Sequence, residues 1–115
     1  MEDRELAEKL LRGVVNENLA TYRHLFVETS PQDATDLYWK EALTLFEKLN
    51  SKEREVFFKV LKQVSIDTIS NVAGILDGST EVGLEEEIQI ISENGERLGG
   101  CLQDYFLEAV EEESK

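Results

Sequence analysis

Apolar positions recur at intervals of three and four along most of this chain, the period of a helix with one buried face. From about Asp3 to Glu28, Leu11, Val15, Leu19, Tyr22 and Phe26 form such a stripe, flanked by Leu6, Leu10 and Val14. Gly13 falls in its middle and weakens the helix by about 1 kcal/mol relative to Ala. Ser30-Pro31-Gln32-Asp33 then reads as a helix start. Ser30 can accept a free backbone N–H as N-cap, Pro31 has no N–H to lose at the first helical position, and Asp33 suits the positive first turn. The pattern predicts a second helix to about Leu49, with Tyr38, Ala42, Leu45 and Leu49 on one face and Trp39 and Phe46 beside it.

Asn50 and Glu53 have the spacing of a capping box and open a third helix. Phe57, Val60, Leu61, Val64, Thr68, Val72 and Ile75 carry its period, and Asp77-Gly78 closes it with a C-terminal glycine. A helix of about 26 residues is roughly 39 Å long. Its last third is apolar on more than one side (Ile66, Ile69, Val72, Ile75), which marks it as the central, most buried element.

After Ser79 the helical period stops. Residues 79–87 read as a polar connection, and Glu87-Ile88-Gln89-Ile90-Ile91 has the β-branched character of a strand. Asn94-Gly95 is a strong hairpin signal, and Arg97-Leu98 supplies a short return arm before Gly99-Gly100. A last helix runs from about Leu102 to Glu113, with Leu102, Tyr105, Phe106, Ala109 and Val110 inward and a fraying Glu111-Glu112-Glu113 end. The expected fold is α+β and mainly helical: three long helices, a small antiparallel β-hairpin near residues 87–98 and a C-terminal helix. At 115 residues the chain fits one domain, residues 1–115.

Charge changes this picture in one respect. Against 25 acidic residues stand 12 basic ones, a net charge of −13. Residues 1–62 hold 10 bases and 12 acids, whereas residues 63–115 hold only Arg97 and Lys115 against 13 acids. Such a surface repels phosphate backbones and anionic membranes, so nucleic acid and membrane are not expected partners. It suits a basic protein partner, or serves solubility alone. No apolar run is long enough to span a bilayer, and acids occupy the place where a signal peptide has its basic residues. A cytoplasmic, soluble protein is expected. One cysteine excludes an internal disulfide and a thiolate zinc site, and one histidine excludes a multi-histidine metal site.

Candidate chemistry is sparse. Asp67, Asn71 and Gly74 share one face of the third helix, with Ser70 and Asp77 nearby, so Asp67, Asn71 and Asp77 form a candidate polar site. The bland alternative is a solvent-facing stripe, or a seam where Gly74 lets another segment approach. Asp77 onward resembles a calcium loop only in composition: Val82 and Ile88 stand where Gly and Glu are needed. His24 has Glu28 one turn on but no nucleophile, and Cys101, behind two glycines, is expected to be a small packing residue. No catalytic residue, metal site or cofactor is predicted. The candidate partner-binding acids are Glu85, Glu86, Glu87, Glu93 and Glu96, on or beside the hairpin, where exposed connections carry recognition.

The stretches Asp67-Thr-Ile-Ser-Asn-Val-Ala-Gly-Ile-Leu-Asp-Gly78 and Leu98-Gly-Gly-Cys-Leu-Gln-Asp-Tyr-Phe-Leu-Glu108 are similar to a group of small acidic bacterial proteins of unknown function. The resemblance lies in the second half only, over about the last 45 residues, and carries no functional residue with it. In size and acidity the chain also resembles bacterial immunity proteins in type. The function expected is a non-catalytic protein-interaction module, immunity-like or inhibitory, using its acidic second half. The alternatives are a structural or accessory homo-oligomer, with the abundant aromatics buried in a homodimer; a small ligand-binding protein or enzyme centred on Asp67 and Asn71; and a mimic of nucleic-acid charge.

Overall fold

The computed structural model describes residues 1–115. Helix α1 (Asp3–Leu10), a π-helical segment (Leu11–Asn16) and helix α2 (Glu17–Glu28) run as one rod, because Leu11 and Asn16 at the junctions keep right-handed helical angles. An ordinary helix overshoots a full turn by about 40° at every fourth residue. Ala7, Leu11 and Val15 are nevertheless all buried, and the wider π turn around Gly13 absorbs that drift and keeps them on one face.

The second helix starts later than its sequence signal. Pro31–Asp33 closes only one 3₁₀ turn, with Ser30 Oγ donating to Asp33 Oδ2 at 3.0 Å instead of capping the backbone. Ala34 and Asp36 are extended. Helix α3 (Leu37–Glu47) begins after Asp36, whose Oδ1 accepts the Tyr38 N–H at 2.8 Å. Its inner side is Leu43 and Phe46, with Trp39 and Ala42 partly covered, whereas Tyr38 and Leu45 of the expected stripe face solvent.

Helix α4 (Ser51–Asp77) follows its signals closely. The Asn50 side chain accepts the Glu53 N–H and Glu53 Oε1 accepts the Asn50 N–H, both at 2.9 Å, and Gly78 ends the helix at φ +81°. Its buried face differs from the expected one. Phe58, Ile66, Ser70, Ala73 and Gly74 are inside, while Val60, Val64 and Val72 are exposed. The packing surface of its last third is made of small side chains that let a neighbour come close.

Two strands follow, β1 (Ile90–Ile91) and β2 (Arg97–Leu98), paired antiparallel with Ile90 opposite Leu98. The Gly95 N–H donates to the Ser92 carbonyl at 2.9 Å, and the Ser92 N–H to the Glu96 carbonyl at 2.8 Å. The connection is therefore a three-residue loop with Gly95 left-handed at φ +84°, rather than a two-residue turn. Leu98 is buried and Ile90 packs on the adjoining core, which holds so short a hairpin in place. Helix α5 (Leu102–Glu113) completes the chain. Cys101 before it is exposed rather than packed, because Gly99 and Gly100 direct the backbone outward at positive φ. The helix runs to Glu113, whose carboxylate takes Lys62 Nζ at 2.6 Å and Asn16 Nδ2 at 2.8 Å.

The result is α+β and mainly helical, with two cores strung along α4. Near its C-terminal end, Ala7, Leu11, Val15, Ile66, Ala73, Leu102 and Phe106 join α1, the π segment, α4 and α5. Near its N-terminal end, Phe26, Leu43, Phe46 and Phe58 join α2, α3 and α4, with Trp39 and Phe57 packed around them. Phe26 sits 4.9–6.3 Å from the ring centres of Trp39, Phe46, Phe57 and Phe58. Both members of the Phe57–Phe58 pair thus belong to the chain's own core. The molecule measures 50 × 35 × 26 Å.

Candidate interaction surface at the acidic loop

The polar residues singled out on α4 do not converge. Asp77, its last residue, turns its carboxylate onto the start of α5. Oδ1 accepts the backbone N–H of Gly100 at 2.8 Å and of Leu102 at 3.0 Å, and Oδ2 that of Gln103 at 2.8 Å. A carboxylate satisfies the free donors and the positive end of a helix, so Asp77 is engaged in joining α4 to α5. Asp67 is exposed and accepts from Gln63 Nε2 at 2.9 Å on its own helix. Asn71 is exposed on the same side. No cleft contains Asp67, Asn71 and Asp77 together.

Sequence reasoning did not find the partners that complete this seam. Gln103 Nε2 donates to the Ser70 carbonyl at 3.0 Å and to Ser70 Oγ at 3.2 Å, and its Oε1 receives Ser79 Oγ at 3.4 Å. The Gly74 carbonyl accepts Ser79 and Thr80 N–H groups at 2.9 and 3.0 Å. A Cβ at Gly74 would meet Thr80 Oγ1 and would lie 2.9 Å from Gln103 Nε2. Gly74 is what allows the seam to close. Similarly, Asp3 Oδ1 accepts the Gly99 N–H at 2.9 Å and ties α1 to the exit of the hairpin. Contacts between residues so far apart in the chain leave no local sequence signal.

The acids expected to meet a partner lie differently. Glu85, Glu86 and Glu87 sit on the connection between α4 and β1, fully outside any helix or strand, and all are exposed. Glu81 on the same connection is also exposed and uses one oxygen to accept the Gly83 N–H at 2.7 Å. None of these four carboxylates forms an ion pair within the chain, whose ion pairs fall elsewhere. Between them Val82, Leu84 and Ile88 are exposed by 54, 52 and 44%. The connection borders a depression of about 410 Å³ that Ile75 and Arg97 also line. Acidic and apolar side chains thus lie together on one exposed connection. The sequence reading takes residues 79–87 for a polar connection and Ile88 for part of a strand, and so passes over these three; the signal available is apolar side chains outside any helical period.

Glu93 lies at the hairpin tip, exposed. Glu96 takes the N-terminal ammonium of Met1 at 3.5 Å. The structure therefore groups Glu85, Glu86 and Glu87 with Glu81, and sets Glu93 and Glu96 on the neighbouring hairpin turn. No set of three or more His, Cys, Asp or Glu side chains is arranged to hold a metal ion. His24 is exposed on α2. No helix is long and apolar enough to cross a membrane.

No protein-family model, no curated protein and no solved structure matches the chain.

Proposed function

We propose that this protein is a non-catalytic interaction module that binds a basic protein through the acidic connection between α4 and β1. The observation that carries the reading is that unpaired Glu81, Glu85, Glu86 and Glu87 share one exposed connection, and the lining of one depression, with exposed Val82, Leu84 and Ile88. Exposed apolar area together with charge is the usual composition of a protein-binding patch. The carboxylates would speed encounter with a positive surface and reject acidic competitors, and the apolar trio would supply area removed from water. An inhibitory or immunity-like role follows if the covered surface is a partner's working site. A reducing cytoplasmic setting suits a chain whose single cysteine is free and exposed.

The test is capture from source lysate on the immobilised chain, with elution by rising salt. A partner held by this surface elutes as the Debye length shrinks from about 8 Å toward 3 Å. It is lost from a bait carrying Glu85→Lys, Glu86→Lys and Glu87→Lys. Undiminished capture by that bait refutes the assignment.

A further inference from the structure

Helix α4 carries an apolar ridge, winding slowly round the helix, that both cores leave uncovered. Val56, Val60, Val64 and Val72 lie there, each between 47 and 58% exposed, and exposed Thr68 completes an unbroken row at every fourth residue. Scattered exposed valines need no explanation, but successive members of one ridge form a packing surface.

The area of the molecule points the same way. Its accessible surface is 8226 Å², whereas a compact monomer of 13.1 kDa exposes about 6,400 Å². The radius of gyration is 17.6 Å, against about 13 Å for a compact chain of this length. The excess of about 1,800 Å² is spread over an elongated molecule and leaves room for the roughly 800 Å² per partner that a standard stable interface removes.

We infer that the middle of this ridge, Val60–Val64–Thr68, with Val56 and Val72 at its margins, is the interface of an antiparallel homodimer, α4 against α4, about a two-fold axis beside Val64. A ridge of this spacing is self-complementary, since two such rows interdigitate at a crossing of about 50°. The charges beside the ridge select the direction. Lys52 and Lys59 precede Val64 and Asp67 follows it, and neither lysine has an ion-pair partner within the chain. Antiparallel pairing brings Lys59 within about 3 Å, along the axis, of the level of Asp67 in the second copy. Parallel pairing sets lysine against lysine. It also crowds two acidic connections together, while the antiparallel form holds them about 40 Å apart, several Debye lengths. This dimer uses a different face from the acidic connection and does not depend on its role.

Sedimentation equilibrium from about 1 to 100 µM tests it. Wild type sediments at twice the chain mass. Val64→Glu, at an exposed position, keeps its helical circular dichroism and weakens association by roughly 100-fold or more, because two carboxylates meet at the axis. Val60→Thr with Val64→Thr, which keeps shape and β-branching, weakens it as well and serves if the Glu variant loses helix. Lys59→Glu weakens association and Lys59→Glu with Asp67→Lys restores it. A monomeric wild type across that range overturns the proposal, as does a dimer insensitive to the Val64 variants. A dimer indifferent to Lys59→Glu overturns the antiparallel register.

Discussion

Asp77 Oδ2 accepts the backbone N–H of Gln103 at 2.8 Å, so the last side chain of α4 is the cap of α5. Cys101, the residue in the N-cap place, has no side-chain hydrogen bond to the helix it precedes. The cap is supplied from across the fold, and the joint between the two helices and the start of α5 are one structure.

Replacing Asp77 therefore removes more than an ordinary cap. Asp77→Ala leaves three N–H groups without their acceptor and should destabilise the protein by about 2 kcal/mol or somewhat more. Asp77→Asn should recover part of this. Urea denaturation measures both, and an Asp77→Ala midpoint equal to wild type would contradict the joint.

Gly74→Ala offers a test of sign. In an open helix the change stabilises by about 1 kcal/mol. Here the added methyl displaces Thr80 and Gln103 from the seam, and hydrogen bonds from Gln103 to Ser70 are lost with it. The variant should melt below wild type. Gly13→Ala, where a methyl meets nothing within 4 Å, is the control.

Lys62, and after it Asn16, hold the Glu113 carboxyl below its ordinary value of 4.5. A pKa lowered by folding stabilises the native state above the unfolded value and stops doing so as pH falls through the folded one. Glu113→Gln should therefore lower stability modestly at pH 7, by under about 1 kcal/mol. The gap between variant and wild type should close as pH falls below 4.5 and on through the lowered folded value. Paired melts across that acid range decide it; a gap that persists at its acid end would show that charge is not its source.

Added salt should raise stability. Residues 63–115 carry 13 acids against Arg97 and Lys115, and folding brings those acids together. Screening within about 8–10 Å weakens the repulsion. Melting temperature should climb with sodium chloride over the first few tenths molar, about, and a flat or falling curve would show that the acids do not repel in the native state.

How far sequence reading reached follows from the range of each interaction. The Asn50–Glu53 capping box, the Gly78 stop and the Asn94-Gly95 hairpin are set by residues within a few positions of one another, and each stands where the pattern puts it. The pattern places the start of α3 at Ser30, whose proline signal closes one 3₁₀ turn only; the cap of the lasting helix is Asp36, which the pattern does not single out. On α4 the large valines drew the core to the wrong face. The inward surface there is Ser70, Ala73 and Gly74, small residues whose worth lies in how closely α5 approaches. Of the candidate site, the acids were visible as a run, but Asp77 looked available because its three acceptor contacts reach 23 to 26 positions along the chain.

The two cores also differ in when they can form. Phe26, Leu43, Phe46 and Phe58 are near neighbours in sequence and close over short loops. The other core must bring Ala7 to Phe106, a closure whose entropic cost grows with loop length and delays it. The aromatic end should therefore form first, and the seam of α1 with α5 last. A chain growing from its first residue would carry Ala7, Leu11 and Val15 uncovered until Leu102 and Phe106 arrive. Pulsed hydrogen exchange during refolding should protect amides around Phe46 and Phe58 before those around Leu11 and Val15; simultaneous protection would exclude that order. The vulnerable interval of this fold, when an apolar face is made but not yet covered, is therefore written into the distance between its first helix and its last.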